Sequence, residues 1–380
     1  MKRLKLLFVT GSRGEWGYIR PIMRYAAAHD VEHAVCATNM LLLPGYGSLV
    51  DEIKRDGYNV TDEIFMSLEG HNHYTMAKSL GVFLQSFVDT LHRHQPDWII
   101  LAGDRGEQLM AAIAGAYTYT PVAHIQAGER SGNIDGTARH ALGKMAHLHF
   151  AANQDAADRL IKLGEEAFRV HNVGAPQLDE LLTGPITPAA EIEQRLGIAA
   201  NEEFLLVVQH PVTDETHLAV DQVAVVAEAI RQIPMRKVWL LPNNDAGSDT
   251  VRRELLHRRA TDTLTFNNLT RADYLGLLRA CRAIVGNSSS GIVEAPTFGI
   301  PAVNLGSRQA DRVRGDNVID APFEPGACLA AVRAALAPEF VKRIAGSANP
   351  YGDGRSSERI VDILMSTPRD SKLLVKRLAY

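Results

Sequence analysis

Ala283-Ile284-Val285-Gly286-Asn287-Ser288-Ser289-Ser290-Gly291-Ile292-Val293-Glu294 passes from a short apolar stretch through a polar turn into a segment with the pattern of a helix. A buried strand that enters a helix through a Ser/Gly turn is the unit from which parallel α/β sheets are built. Backbone N–H groups and hydroxyls gather at such a turn, and the positive end of the helix dipole favours an anion there. An ordinary capped β–α turn is the competing reading, because serine is a good N-cap. Three consecutive serines exceed what a cap requires, and the excess reads as a phosphate seat. Glu294 falls about one helical turn farther on, within reach of a ribose diol if the phosphates belong to a nucleotide.

The same rhythm extends in both directions. Short apolar runs separated by helix-period segments occur at Leu4 to Val9, Ala34 to Ala37, Asp97 to Ala102, Val122 to Ile125 and Leu148 to Ala151. They return at Phe204 to Val208, Val238 to Leu241, Leu264 to Phe266, Ala283 to Val285 and Ala302 to Leu305. Their shortness and the helices between them predict parallel strands in two Rossmann-like, doubly wound α/β domains. Leu182-Thr183-Gly184-Pro185-Ile186-Thr187-Pro188 carries a glycine and two prolines and reads as the linker. The expected division is an N-terminal domain over 1–182 with the acid/base residues, a nucleotide-binding domain over 183–355, and a helical tail over 356–380 that returns to the first domain.

With 380 residues the chain can bury two cores of ordinary size. A net charge of −4, an isoelectric point near 6.4 and scattered Lys and Arg argue against nucleic acid as a partner. Cys36, Cys281 and Cys328 are isolated, which gives no disulfide framework and no zinc ribbon, and a reducing cytoplasm fits. The N-terminal apolar run stops at Thr10 with Arg13 and Glu15 close behind, so it reads as a buried first strand rather than a signal peptide. No run approaches the length of a bilayer span, and membrane insertion is not expected.

Ligands of open α/β sheets bind beyond the carboxyl ends of the strands. After successive runs in the first half come Gly11-Ser12-Arg13-Gly14-Glu15, Gly103-Asp104-Arg105-Gly106-Glu107 and Gln126-Ala127-Gly128-Glu129-Arg130-Ser131-Gly132. The second half offers Gln209-His210-Pro211, Pro242 to Ser248 and the serine turn, which suggests a ligand held in a cleft between the domains. Asp104, Glu129 and Asp135 equip such a site for proton transfer, although any one strand-end acid serves equally well as a helix cap or a surface ion pair. Arg13, Arg308, Arg312 and Arg314 supply the positive charge that phosphates need. The His-x-His pairs at 71/73, 92/94 and 147/149 lack a third ligand at sensible spacing, so no metal is expected. Neither a GxGxxG nor a P-loop pattern occurs.

With these residues in place, the chain resembles the hydrolysing UDP-N-acetylglucosamine 2-epimerases, the branch that feeds sialic and legionaminic acid biosynthesis. The matching segments are Val9 to Glu15, Gly103-Asp104-Arg105, Gly128-Glu129, Ser131 to Asp135 with Arg139-His140, His210-Pro211, Pro242-Asn243 with Asp245 to Ser248, Gly286 to Gly291 with Glu294, and Asn304-Leu305-Gly306 with Arg308-Gln309. Each is weak alone; their order and spacing over residues 5 to about 320 are specific. The resemblance implies the GT-B architecture, two Rossmann-like domains facing a central cleft. It implies that Arg13, His210, Asn243, Ser288, Ser289, Ser290, Glu294, Arg308 and Arg314 hold UDP, with Glu294 on the ribose. Asp104, Glu129 and Asp135 would surround the sugar, with His210 counted among the catalytic groups. Tyr18 stands where non-hydrolysing relatives usually carry Lys, and Ile125-Gln126-Ala127-Gly128 stands where they carry V-E-A-G. Both differences favour the hydrolysing branch. Gly136, where an acid commonly follows the aspartate, departs from the pattern and weakens any mechanism that needs two adjacent carboxylates there.

The implied reaction removes the C2 proton as UDP leaves C1, forms a 2-acetamidoglucal, and adds water to give the C2-inverted free sugar. No cofactor is required. The expected partners are a UDP-sugar and further copies of the chain in a dimer or tetramer, with no nucleic acid and no membrane. A non-hydrolysing epimerase, a GT-B glycosyltransferase and a nucleotide-sugar sensor are the rival readings.

Overall fold

The computed structural model describes residues 3–44, 49–69, 73–130, 134–199, 201–242, 247–267 and 269–379. They divide into two compact units, one within Met1–Arg130, Ile134–Asp179 and Tyr351–Tyr380, the other within Glu180–Pro350.

The first unit is built on seven parallel strands: β1 (Lys5–Thr10), β2 (Glu32–Thr38), β3 (Val60–Ile64), β4 (Trp98–Ala102), β5 (Val122–Ala127), β6 (Leu148–Ala151) and β7 (Val170–Asn172). Their spatial order is β3-β2-β1-β4-β5-β6-β7, so the winding reverses between β1 and β4. Both sheet faces are buried, which is why the central strands are continuously apolar instead of alternating. Leu6, Phe8, Trp98 and Ile100 join one core; Leu7, Val9, Ile99 and Leu101 join the other.

The chain returns to this unit at its end. Ile360, Val361 and Leu364 of the helix Ser356–Ser366 enter the same core as Ile19 and Ile22 of the helix Arg13–Ala28. Asp179 accepts the Ser356 and Ser357 N–H groups at 3.1 and 2.6 Å and so caps that helix. Farther on, buried Arg169 donates to the Leu373 and Lys372 carbonyls at 2.7 and 2.8 Å. Lys376 donates to the Ala146 carbonyl at 2.7 Å, at the C-terminus of the helix Ile134–Met145, where a cation complements the dipole.

The second unit carries six parallel strands: β8 (Phe204–Val208), β9 (Arg236–Leu240), β10 (Thr263–Phe266), β11 (Ala283–Gly286), β12 (Ala302–Leu305) and β13 (Val318–Ala321). Their order is β10-β9-β8-β11-β12-β13, with the reversal between β8 and β11. Leu205 and Val207 pack under the helix Ala219–Arg231, while Leu206 and Val208 pack against Leu277 and Leu278 of the helix Arg271–Ala280. Two Rossmann-like parallel-sheet units are thus present. In each the reversal lies beside a strand end that bears the residues singled out above.

Candidate active site

In the first unit the acids follow the carboxyl ends of β1, β4 and β5. Half-buried Asp104, in the turn after β4, pairs with the Arg139 guanidinium. Arg139 lies in the helix Ile134–Met145, one turn after Asp135, and is 4% exposed. Its other arm donates to the Gln126 carbonyl at 2.7 Å. Burial alone would lower the Arg139 pKa, but the charges of Asp104 and Glu129 outweigh it and raise it. One buried cation therefore holds two of the three predicted acids in one electrostatic group.

Gln126 is what aims that carbonyl. It sits in left-handed backbone at φ 62°, where the β5–β6 register shifts. Its side chain donates to Gln177 at 3.0 Å. Glu129, 3% exposed, accepts from Asn153 Nδ2 at 2.6 Å, and Asn153 also caps the helix Gln154–Lys162 through the Ala156 N–H. Behind Asp104, buried His124 lies 2.7 Å from the Gly103 carbonyl through Nε2, and burial pulls its pKa down to about 3. The ring is therefore neutral near pH 7, and with Nε2 as donor it supports the turn.

Two further acids, absent from the sequence-based assignment, lie close by. Ser12 caps the helix Arg13–Ala28 through the Glu15 N–H, and the Glu15 carboxylate turns back to accept from Gly11 N at 2.6 Å. A Cβ on Gly11 would stand 2.4 Å from Glu107 Oε1, so Glu107 packs on that same residue. Burial, with the neighbouring Glu107 charge, pushes the Glu15 carboxyl well above the usual carboxylate range. Both acids lay within segments read as motifs; what hid them was that sequence does not show burial. Arg13 opens the helix and is exposed. Tyr18 lines the same end of the sheet, 3.9 Å from where a Gly103 Cβ would be.

In the second unit the serine turn is braced by Asn287. Its Oδ1 accepts the His210 N–H and its Nδ2 donates to the His210 carbonyl, both at 2.8 Å, so the β8 and β11 turns are locked together. Arg308 and Gln309 donate to the Asn287 carbonyl at 3.2 and 3.0 Å. Ser288 and Ser289 are half-buried; Ser290 is buried, with its hydroxyl between Tyr274 and Glu294. Glu294 also pairs with Arg271. Arg314 stands two strands away: Gly286 of β11 neighbours Asn304 of β12, Asn304 neighbours Asp320 of β13, and Asp320 holds Arg314 at 3.1 Å.

The expected helix after the serines is a single turn, Ser290–Val293, followed by a 3-10 turn over Ala295–Phe298 with Pro296 inside it. Proline breaks the ladder, so an anion at this turn would depend on nearby hydroxyls and N–H groups more than on a long dipole. Asn243, Asp245 and the segment Ser131 to Asn133 lie outside the described residues, as does His71. Among the other histidine pairs, His94 pairs with Asp62, His147 accepts the Val122 N–H at 3.0 Å through Nδ1, and His149 pairs with Glu165. Among the described residues no helix is long and apolar enough to cross a membrane.

The profile of a family described as UDP-N-acetylglucosamine 2-epimerase matches residues 24–365. The chain is 36% identical over 379 residues to a UDP-N,N'-diacetylbacillosamine 2-epimerase (hydrolyzing) of Legionella pneumophila, with 99% of each protein covered. It is 31% identical to a UDP-N-acetylglucosamine 2-epimerase of Neisseria meningitidis serogroup B, covering 96% of this chain and 95% of that protein. In fold it is similar to the crystal structure of the UDP-GlcNAc 2-epimerase from Neisseria meningitidis bound to UDP-GlcNAc, with a TM-score of 0.82 at 19% identity, covering 96% of this chain and 100% of that one.

Proposed function

Because the chain belongs to the UDP-N-acetylglucosamine 2-epimerase family, we propose that it is a hydrolysing enzyme of that family. It would convert UDP-N-acetylglucosamine, or a UDP-2,4-diacetamido-trideoxyhexose, and water to UDP and the free C2-inverted sugar. Such a product belongs to the sialic and legionaminic acid branch.

The observation that carries this reading is the grouping of Asp104 and Glu129 around buried Arg139, in a unit where Tyr18 replaces the lysine usual in non-hydrolysing relatives. Relatives with hydrolysing activity in their names, at 36% and 28% identity, support it.

The C2 proton of the sugar is not acidic in the ground state, so the C1–O bond must break ahead of proton loss. The bonding pair leaves with the diphosphate, whose growing charge the serine turn and the arginines would disperse. A carboxylate then takes the C2 proton, leaving the 2-acetamidoglucal. Water adds across the double bond, its oxygen to C1 and a proton to C2 from the opposite face, and the balance is substrate plus water to sugar plus UDP. Asp104 and Glu129 are the groups for the two proton transfers, each contributing roughly 10²- to 10⁴-fold.

NMR of the reaction in D₂O tests the proposal. The expected result is free sugar carrying deuterium at C2, with stoichiometric UDP and no accumulating epimeric UDP-sugar. A steady mixture of two UDP-sugars without free UDP would place the chain among the non-hydrolysing enzymes, and no turnover without an acceptor would favour a glycosyltransferase.

A further inference from the structure

Resting on the nucleotide reading above, we propose that Arg271 and Tyr274 are positioning residues that make the site select a ribonucleotide over its 2′-deoxy counterpart, by fixing the Glu294 carboxylate from both sides. Glu294 Oε1 takes the Arg271 guanidinium, and Oε2 takes the Ser290 hydroxyl. A carboxylate offers about four acceptor positions. Those two bonds leave about two, the number that the 2′- and 3′-hydroxyls of a ribose require. Glu294 as a whole is buried, 7% exposed, so its carboxylate depends on such partners.

The bonds on the Oε2 side have a fixed direction. Tyr274 donates to Ser290 Oγ, so the Ser290 proton is directed to Glu294. Burial pushes the Tyr274 hydroxyl up, with the Glu294 charge adding, which keeps it a donor across the working pH range. On the Oε1 side, Arg271 is braced by Glu180 at 3.5 Å and by the Tyr274 ring, whose centroid lies 5.8 Å from the guanidinium carbon.

Both residues sit in the first turn of a helix whose start is itself anchored. Thr270 caps it through the Asp273 N–H, and Asp273 accepts from Thr187 at 2.8 Å and pairs with Arg195 at 3.0 Å. Glu294 is held at the backbone as well: its N–H reaches the Ser290 carbonyl at 3.0 Å, and its carbonyl accepts from Thr297 at 3.1 Å. A carboxylate that cannot turn away leaves an acceptor unpaired when the 2′-hydroxyl is missing, and an unpaired buried acceptor costs more than the mean hydrogen bond contributes.

Calorimetry of the full-length protein with UDP and with 2′-deoxy-UDP tests this, on wild type, Arg271→Gln and Tyr274→Phe, with Glu294→Gln as reference. Wild type should prefer UDP by about tenfold. Both variants should bind UDP more weakly while binding 2′-deoxy-UDP as wild type does, bringing the ratio toward one as in the reference. A ratio unchanged in both variants would overturn the proposal and reduce these residues to structural supports, even if both affinities fell together. Should Arg271→Gln fail to fold, Tyr274→Phe, which removes one hydroxyl, decides alone. Wild type binding both nucleotides equally would overturn the proposal and leave the nucleotide seat standing; wild type that binds no UDP would overturn the seat itself.

Discussion

At the scale of single residues, the proposed chemistry rests on acids grouped around a buried cation. Asp104 and Glu129 share the field of Arg139, and Arg139 owes its place to a carbonyl turned by the left-handed Gln126. Asp104→Asn and Glu129→Gln keep size and remove the proton-transfer group. Each should lower kcat by at least about 10²-fold while UDP affinity stays within a few-fold of wild type. Steady-state kinetics with UDP calorimetry on both variants checks this, and retention of more than about a tenth of wild-type turnover in both would move the acid–base work elsewhere. Arg139 was legible as part of a motif, four residues after Asp135, but not as the buried cation paired with Asp104 in the field of Glu129. That role depends on a strand bulge that pairing partners impose.

At the scale of elements, the turn after β11 shows how closely backbone segments approach. Gly286 has φ 131°, and a Cβ there would meet the Val208 carbonyl oxygen at 2.2 Å. Its place is set by the Asn287 N–H hydrogen bond to that same carbonyl at 3.2 Å and by the two hydrogen bonds between the Asn287 side chain and the His210 backbone. Gly286→Ala should therefore destabilise the second unit by about 2 kcal/mol or more, because β8 must move and the backbone is strained. Urea unfolding would measure it, and it should weaken UDP binding as well by shifting His210. The ten runs read from sequence all coincide with strands, to within a few residues at their ends. The three missed strands, Val60–Ile64, Val170–Asn172 and Val318–Ala321, are all sheet edges. An edge strand is half exposed and tolerates Thr, Asp, Glu, His and Asn, so its apolar run is easily broken; of the four edges only β10 was read, from Leu264 and Phe266.

At the scale of the whole molecule, the two units differ in how they should respond to acid. His124, His147 and His149 are buried in the first unit, and burial lowers them from the ordinary 6.5 to about 3, 4 and 4. A depressed folded-state pKa means that the unfolded chain takes up protons first. The stability these rings confer is thus complete above pH 6.5, declines progressively below it, and is fully lost once pH has fallen through about 4 to 3. Glu165 extends the loss: burial opposes ionisation, but bonds from His149 and Lys144 and the Lys376 charge hold it at about 2, so its contribution disappears below the ordinary 4.5. Trp16 and Trp98 report the first unit and Trp239 the second. In Trp239→Phe, fluorescence-monitored melting should show the first unit losing stability from pH 6.5 to 4, and His147→Asn should flatten that slope. An unchanged melting temperature over this range would count against the buried neutral rings.

What the sequence by itself determined is whatever depends on local order. Apolar runs, turn chemistry and motif spacing settle two parallel α/β units and place the candidate functional residues at strand ends, because each strand's burial is written in its own side chains. Family membership follows from the same local signals, since the short motifs stand in a specific order and spacing along the chain. Only the tertiary structure decided which of those residues are paired and which are open. Arg139 paired with Asp104 in the field of Glu129, Glu15 against Glu107 at Gly11, Ser290 turned to Glu294, and Arg271 on the same carboxylate all join segments that are distant in sequence or facing across a turn. The shifts at Arg139, Glu15 and Arg271 follow from desolvation and from charged partners brought in by other segments, and no local pattern records either.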